Sequence, residues 1–355
     1  METQTYRLQP RQRVLAEVAA QASVMTERLS ASSSPGECAM GAFVSKFRTR
    51  IPLDGSTPSI NGIAMLPVLV FGVETAAPMC ATPLALVHTL WWAAARYVDD
   101  VIDTAQLTQA DPTELNCGLM TAIAVGNRLP QIIFGDLIVS DSVRFRLITE
   151  YGSGSVAALS GQLTDLVLDA ETATLDDVLR SYEGKTGGPY GMAAALGAHL
   201  AECDADRVDA WRSFGRKFGV LRQLVNDQRD LITGRDEDLR NGTATYLLVH
   251  LLRTVSPARR AELIGLHRQA RTSEAARAEL KQAMVAPDMV SGYAEAIRPM
   301  VRTAHESLAS FGGDSRCVTD LAELIDETVS LYPEFRLADR SDDGEGDQRA
   351  HQAER

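Results

Sequence analysis

The stretch RYVDDVIDTA, residues 96–105, sets three aspartates within five positions of a mostly apolar segment. On a helix Asp99 and Asp103, four apart, project from one face, and Asp100 is turned about a quarter of a circle away. Neighbouring carboxylates repel unless a cation sits between them, so this is either an exposed helix end or half of a metal site. In a chain holding 47 Asp and Glu, one acidic cluster decides nothing. A second motif shifts the balance. In FGVLRQLVNDQRDLITG, residues 218–234, Asn226 and Asp230 repeat the four-residue spacing with Asp227 beside them. Hard cations such as Mg²⁺ take oxygen ligands, keep several waters and are commonly completed by substrate phosphate oxygens. Two small ligand sets on neighbouring helices suit that design.

Holding such sets in register requires long helices. Apolar residues recur at three- and four-residue spacing over 11–29, 81–103, 140–163, 175–200, 205–233, 257–270, 289–310 and 317–332. No set of alternating strands is present. Ser/Pro/Gly clusters mark loops near 30–37, 52–59, 108–114 and 311–315. The tail after Ala338 has no apolar residue larger than alanine and reads as disordered. The economical architecture is one all-α bundle of roughly ten helices. Its expected parts are an N-terminal helix and variable loop over 1–35, a helical domain over 36–338, and a polar tail over 339–355.

Hydrophobic residues make up 45% of the 355, ample for a buried core. A net charge of −12 without a Lys/Arg-rich run argues against nucleic acid or an anionic membrane as partner. An anionic substrate would need local cations to bridge it to the protein. Five cysteines, odd in number and without CxxC spacing, suit a reducing cytoplasm. The N-terminus lacks the apolar core of a signal peptide. The most apolar run, INGIAMLPVLVFGV, is too short to span a bilayer and contains Pro67, so no integral membrane segment is expected.

The motifs resemble those of the trans-isoprenyl diphosphate synthase (polyprenyl synthetase) superfamily and, through its fold, the class I terpene synthases. DDVID resembles the first DDxxD. RQLVNDQRD is similar to FQIxDDxxD, with Gln223 before the motif and Asn226 replacing its first aspartate. YEGKTGG, 182–188, resembles the central Lys-Thr-Ala/Gly, and DLRNGTAT, 238–245, resembles DLxxGKxT. The resemblance implies an isoprenoid synthase bundle around a central apolar cavity, and a homodimer. It implies that Asp99 and Asp103 hold two Mg²⁺ ions, that Asn226 and Asp230 hold a third, and that Asp100 and Asp227 stand beside them. Lys185, Thr186 and Gln223 would bind an allylic prenyl diphosphate, whose departure the ions stabilise.

Elongation also needs isopentenyl diphosphate, which the family holds on basic residues without metal. At the counterpart of its GKRLRP motif stands GIAMLP, with Ile63, Ala64 and Leu66 in the basic places. Trp92 takes the histidine position, and Thr108 and Gln109 the Arg-Arg pair. A desolvated diphosphate without partners is costly, so this second site reads as erased. SKFRTRIP, with Lys46, Arg48 and Arg50, is a displaced alternative followed by a loop. Apart from that site, Thr243 replaces the lysine of GKxT, which weakens the carry-over of diphosphate ligands; Arg180, Arg222 and Arg235 are substitutes there, each more simply read as an ordinary surface or interhelical arginine. Trp91 and Trp92 could wall a carbocation cavity or simply pack in the core. The small Ala94 and Ala95 leave space above Trp91, which lies roughly 12 Å below the metals as a floor.

The expectation is a class I terpene synthase that cyclises farnesyl or geranylgeranyl diphosphate and releases pyrophosphate. The alternative is a prenyltransferase that elongates an allylic diphosphate with isopentenyl diphosphate. A further alternative is a non-catalytic regulatory subunit of a prenyl synthase.

Overall fold

A computed structural model describes residues 2–50, 58–105 and 112–329. Among them the chain forms fifteen α-helices and no strand: α1 (Glu2–Ser30), α2 (Pro35–Arg50), α3 (Pro58–Thr75), α4 (Thr82–Ala105), α5 (Pro112–Asp136), α6 (Asp141–Val167), α7 (Leu175–Tyr182), α8 (Gly188–Leu200), α9 (Ala205–Thr233), α10 (Glu237–Asn241), α11 (Tyr246–Thr254), α12 (Pro257–Ala270), α13 (Glu274–Met284), α14 (Pro287–Ala309) and α15 (Ser315–Val329). A 3₁₀ turn, Pro78–Ala81, leads into α4, and one π-helical turn, Glu183–Gly187, joins α7 to α8.

The centre is α8. Its sequence GPYGMAAALGAHL is buried from Gly188 to Ala198, and α3, α6 and α9 pack around it. A helix that is apolar or small on every face belongs inside a bundle. The same reason explains why α3 was not legible as a helix: INGIAMLPVLVFGV has no polar stripe to set a period. It is nonetheless buried from Gly62 to Val73, with Ile63 alone half-buried. The sequence reading also lacked α2, α5, α10, α11 and α13, so roughly ten helices become fifteen. The expected loop at 30–37 shrinks to a turn at 31–34, and SKFRTR is the last part of α2. Residues 51–57, Thr108, Gln109 and the tail 339–355 lie outside the described residues.

Helix starts are fixed by side chains that satisfy otherwise unpaired N–H groups. Ser140 caps α6, Asp204 caps α9 and Thr245 caps α11; Thr174 forms a reciprocal capping box with Asp177 at α7. The N-terminal helix adds Leu15, Val18 and Ala22 to the common core. Arg11 bridges to Glu323 and Glu327 of α15, tying the two ends of the described chain together. Among the described residues no helix is long and apolar enough to cross a membrane.

Candidate active site

A cavity of about 1350 Å³ opens between α4, α5, α6 and α9. Asp99, Asp100, Lys185, Thr186, Gln223 and Asn226 all line it, and Asp230 reaches its edge. Deeper, the walls turn apolar and aromatic, with Ala94, Ala95, Trp91, Trp92, Phe134 and Tyr190. Asp103 lies on α4 one turn beyond Asp99, and its side chain is outside the described residues.

The π-helical turn carries Lys185 and Thr186. Turns of this kind interrupt the ordinary ladder and recur at functional sites. This one is pressed between two helices by backbone contact. A Cβ on Gly161 of α6 would stand 1.9 Å from the Lys185 nitrogen, and one on Gly219 of α9 would stand 2.7 Å from the Thr186 carbonyl oxygen. Lys185 Nζ donates to Asp165 Oδ2 at 2.9 Å, and the Ser181 hydroxyl donates to Asp165 Oδ1 at 3.2 Å. Burial works against the charged ammonium, but Asp165 and then Asp99 outweigh it and raise its pKa. The same helix α6 supplies Gln162, whose amide donates to Asp99 Oδ1 at 3.2 Å. Sequence reasoning missed Gln162 and Asp165. Their only signal is a polar i, i+3 pair on one helix face.

A hydrogen-bond chain then crosses the core. The Thr186 hydroxyl donates to Gln223 Oε1, and Gln223 Nε2 donates to Asp227 Oδ1 at 2.8 Å. Asp227 Oδ2 accepts from the Tyr182 phenol, which in turn accepts from the Tyr246 N–H at 3.0 Å. Asp227 is 3% exposed and turned away from the cavity. Burial raises its pKa, as it does that of the neighbouring Asp238. Its place is that of a buried anchor for Gln223. Asp230 is bound locally as well: Oδ1 accepts from the Glu237 N–H at 3.1 Å, Oδ2 from the Asp238 N–H at 3.2 Å, and Arg235 Nε lies 3.5 Å away. Asn226 is exposed to the cavity. Where a family lysine is replaced by Thr243, Arg271 lies across Gly242, its Cδ 3.3 Å from the place of a Cβ, and both residues line the cavity.

The aromatic end has its own order. Trp91 Nε1 donates to Ser155 Oγ at 3.1 Å, and Trp92 meets Trp91 edge-on at 5.1 Å. Trp92 Nε1 donates to His88 Nε2 at 2.9 Å, so His88 carries its proton on Nδ1 and donates to the Ile63 carbonyl at 2.7 Å. Sequence reasoning placed only tryptophan here. A neutral histidine stands one turn earlier, its pKa pushed down to about 4 by burial, which the Ile63 hydrogen bond only partly offsets.

That depressed pKa makes His88 an acid-sensitive element. Between pH 6.5 and 4 the unfolded chain takes up a proton the folded chain refuses, so stability falls as pH falls. The gap from 6.5 to about 4 corresponds to about 3 kcal/mol. His88→Gln, which keeps one acceptor and one donor, is expected to remove that part of the acid dependence in urea unfolding at pH 7 and pH 4.5. Equal losses in both proteins would rule the effect out.

Beside the main cavity, a second pocket of about 610 Å³ lies between α2, α4 and α9. Lys46, Arg96, Arg222, Arg229 and Arg235 line it, with Asp100 as the carboxylate and Phe43, Phe47 and Tyr97 as apolar wall. Arg48 is not part of the lining, and the Arg50 side chain is outside the described residues. Arg180 is exposed and paired with Asp177.

Three comparisons bear on this arrangement. The polyprenyl synthetase family model matches residues 64–284. Over 200 residues the chain is 30% identical to a geranylgeranyl diphosphate synthase of Mycobacterium tuberculosis, covering 53% of this chain and 56% of that one. Over 178 residues it is 24% identical to a short chain isoprenyl diphosphate synthase of Methanocaldococcus jannaschii, covering 47% and 54%. The chain thus spans about half the length of the curated relatives it matches. A solved geranylgeranyl pyrophosphate synthase of Corynebacterium glutamicum, complexed with isoprenyl diphosphate and magnesium, superposes with a TM-score of 0.72 at 17% identity over 90% of this chain and 99% of that one. That likeness establishes the all-α isoprenoid synthase fold.

The comparisons correct the expected terpene synthase. The relatives are named as synthases of prenyl diphosphates, not as cyclases. The physical ground for that expectation was a lack of cations for a second diphosphate on α3 and α4. Cations are in fact gathered there by α2 and α9.

Proposed function

We propose, from the premise that this chain belongs to the polyprenyl synthetase family, that it is a prenyltransferase elongating an allylic prenyl diphosphate with isopentenyl diphosphate. The observation that carries the reading is the convergence of Asp99, Lys185, Thr186, Gln223 and Asn226 on one cavity with an apolar, aromatic depth. The oxygen donors among them fit Mg²⁺: Asp99 on α4 and Asn226 on α9 face one cavity from two helices, open to substrate oxygens. Asp99, Asp103 and Asn226, with Asp230 behind them, would hold the ions, three in number by the family's pattern. Mg²⁺ held by these residues would supply the positive charge that a departing diphosphate needs. Lys185, fixed by Asp165, and Thr186, fixed by Gln223, orient the leaving group. The aromatic depth keeps water from the allylic cation, which bonds to the alkene of the second substrate; the tertiary cation so formed loses a proton to the released diphosphate, leaving the double bond of the longer product.

Trp91 sets the depth. Trp91→Ala is expected to lengthen the product by at least one five-carbon unit in mass spectra, while Trp91→Phe, which keeps the wall, is expected to preserve length. Unchanged products in Trp91→Ala would reduce the residue to core packing.

The reading includes a homodimer and, on five free thiols, a reducing cytoplasmic setting. On α6, Val156, Leu159, Leu163 and Leu166 each keep more than half of their surface exposed, beside Met120 and Ile123 of α5. A stripe of that size is normally covered. Light scattering is expected to give twice the 38.5 kDa chain mass, and Leu163→Glu to give the single mass. A wild-type monomer would remove the dimer from the reading.

The test of function is incubation with Mg²⁺ and geranyl, farnesyl or geranylgeranyl diphosphate, with and without labelled isopentenyl diphosphate. Longer diphosphates are expected only when both substrates are present. Hydrocarbon formed from one allylic diphosphate alone would overturn the proposal.

A further inference from the structure

The main cavity is open toward the outer face of α5 and α6. Helix α5 packs chiefly on α4, and α6 on α8, while α5 and α6 touch each other only lightly. Between them the cavity reaches side chains that also face outward. Ile123 of α5 and Ile148, Val156 and Leu159 of α6 line it, yet each stays 42–63% exposed. Gly152 of α6 widens the gap, because it lines the cavity and among the described residues no heavy atom stands within 4 Å of where its Cβ would be. Ser155, which holds Trp91, lies one turn further along.

From Phe145 to Val167 every exposed residue of α6 is uncharged. The acidic side chains of that span point inward, Glu150 to Arg212 and Asp165 to Lys185. In a chain with 23% charged residues, an apolar face of this length is one that a partner covers. A second copy is the occupant that fits. About a twofold axis a patch meets itself, so charges of one sign would be brought together, and this face has none to bring. The span runs about 33 Å and with α5 is roughly 20 Å wide. That offers on the order of 700 Å², close to the roughly 800 Å² per partner of a stable interface.

We infer that the second copy closes the main cavity: the α5–α6 face of each chain supplies the missing wall of the other's cavity, so neither site is complete alone. This rests on the elongation reading and gives the dimer a part in the reaction. An allylic cation that meets water is captured. The water oxygen bonds to the cationic carbon and loses a proton, giving an alcohol and free pyrophosphate in place of a longer diphosphate. Elongation therefore requires a closed site, and the gap at Gly152 is where this chain by itself leaves it open.

Two measurements on the full chain test the closure. Leu163→Glu serves both, since Leu163 lies exposed on this face without lining the cavity. The first is modification of Gly152→Cys by N-ethylmaleimide, read peptide by peptide in mass spectra against the exposed Cys80. The introduced thiol is expected to react at least tenfold more slowly in the dimer than in the Leu163→Glu background. Equal reaction in both overturns the closure, whatever turnover shows. The second is the product mixture from farnesyl and isopentenyl diphosphates with Mg²⁺. In Leu163→Glu the share of alcohol is expected to rise at least fivefold over the wild type. A slower monomer with an unchanged share would make the second copy a mere support and overturn the inference, as would a wild-type chain of single mass. A dimeric wild type that makes no longer diphosphate overturns the elongation reading, while protection of the introduced thiol still decides the closure.

Discussion

Asp99→Asn is expected to lower kcat/KM for the allylic diphosphate about a thousandfold at saturating Mg²⁺, the several kcal/mol a bound metal contributes to a departing anion. Asparagine keeps an oxygen for the Gln162 amide, the contact that Asp99 makes across the cavity at 3.2 Å. The change therefore removes charge with little change of shape. The unfolding midpoint is expected to stay close to wild type, since the change removes both repulsion from acidic neighbours and attraction to Lys185. Asn226→Asp is the opposite experiment. It adds a carboxylate to a ligand position exposed to the cavity, so activity is expected to persist and half-saturation to need less Mg²⁺. Turnover of Asp99→Asn within tenfold of wild type would end the metal assignment, and inactivity of Asn226→Asp would remove Asn226 from the ligand set.

How much of this was legible follows from where each partner lies in the chain. Asp99, Lys185 and Asn226 sit in short motifs whose spacing encodes a helix face, so one dimension sufficed. Asp165 and Gln162 act on Lys185 and Asp99 across a helix packing, and nothing local marks that encounter. His88 was hidden for the same reason, since its meaning depends on Ile63 of α3 coming within 2.7 Å. The mistaken cyclase shows the limit most clearly. Neutral residues at Ile63, Ala64, Leu66 and Trp92 were read correctly one by one. The error lay in equating an absent motif with an absent charge, when Arg222 could bring the charge from a helix more than a hundred residues away. The i, i+7 spacing of Arg222 and Arg229, with Asn226 between them, was the available clue that α9 has a basic face toward the site.

Gly161→Ala tests whether the π-helical turn is what makes Lys185 and Thr186 work. The added methyl would stand 1.9 Å from the Lys185 nitrogen and 2.4 Å from the Gly184 carbonyl carbon. Both are backbone atoms and cannot swing aside as a side-chain end would. Relief must come from parting α6 and the turn, which also separates Asp165 and Gln162 from the groups they hold. Overpacking of this kind costs about 1–3 kcal/mol, and we expect the upper end in urea unfolding. Displacing catalytic groups by about an ångström lowers rates about a hundredfold, so kcat/KM is expected to fall by at least that much. Gly219→Ala approaches the same turn from α9, 2.7 Å from the Thr186 oxygen, and is expected to repeat the loss. Gly265→Ala supplies the control: it lies within α12 with nothing within 4 Å of the new methyl. Helix propensity alone predicts a gain of up to about 1 kcal/mol there, with activity unchanged. If Gly161→Ala and Gly219→Ala both fold and turn over like Gly265→Ala, the turn is not the positioning device, and Lys185 and Thr186 must be held by their side-chain partners alone.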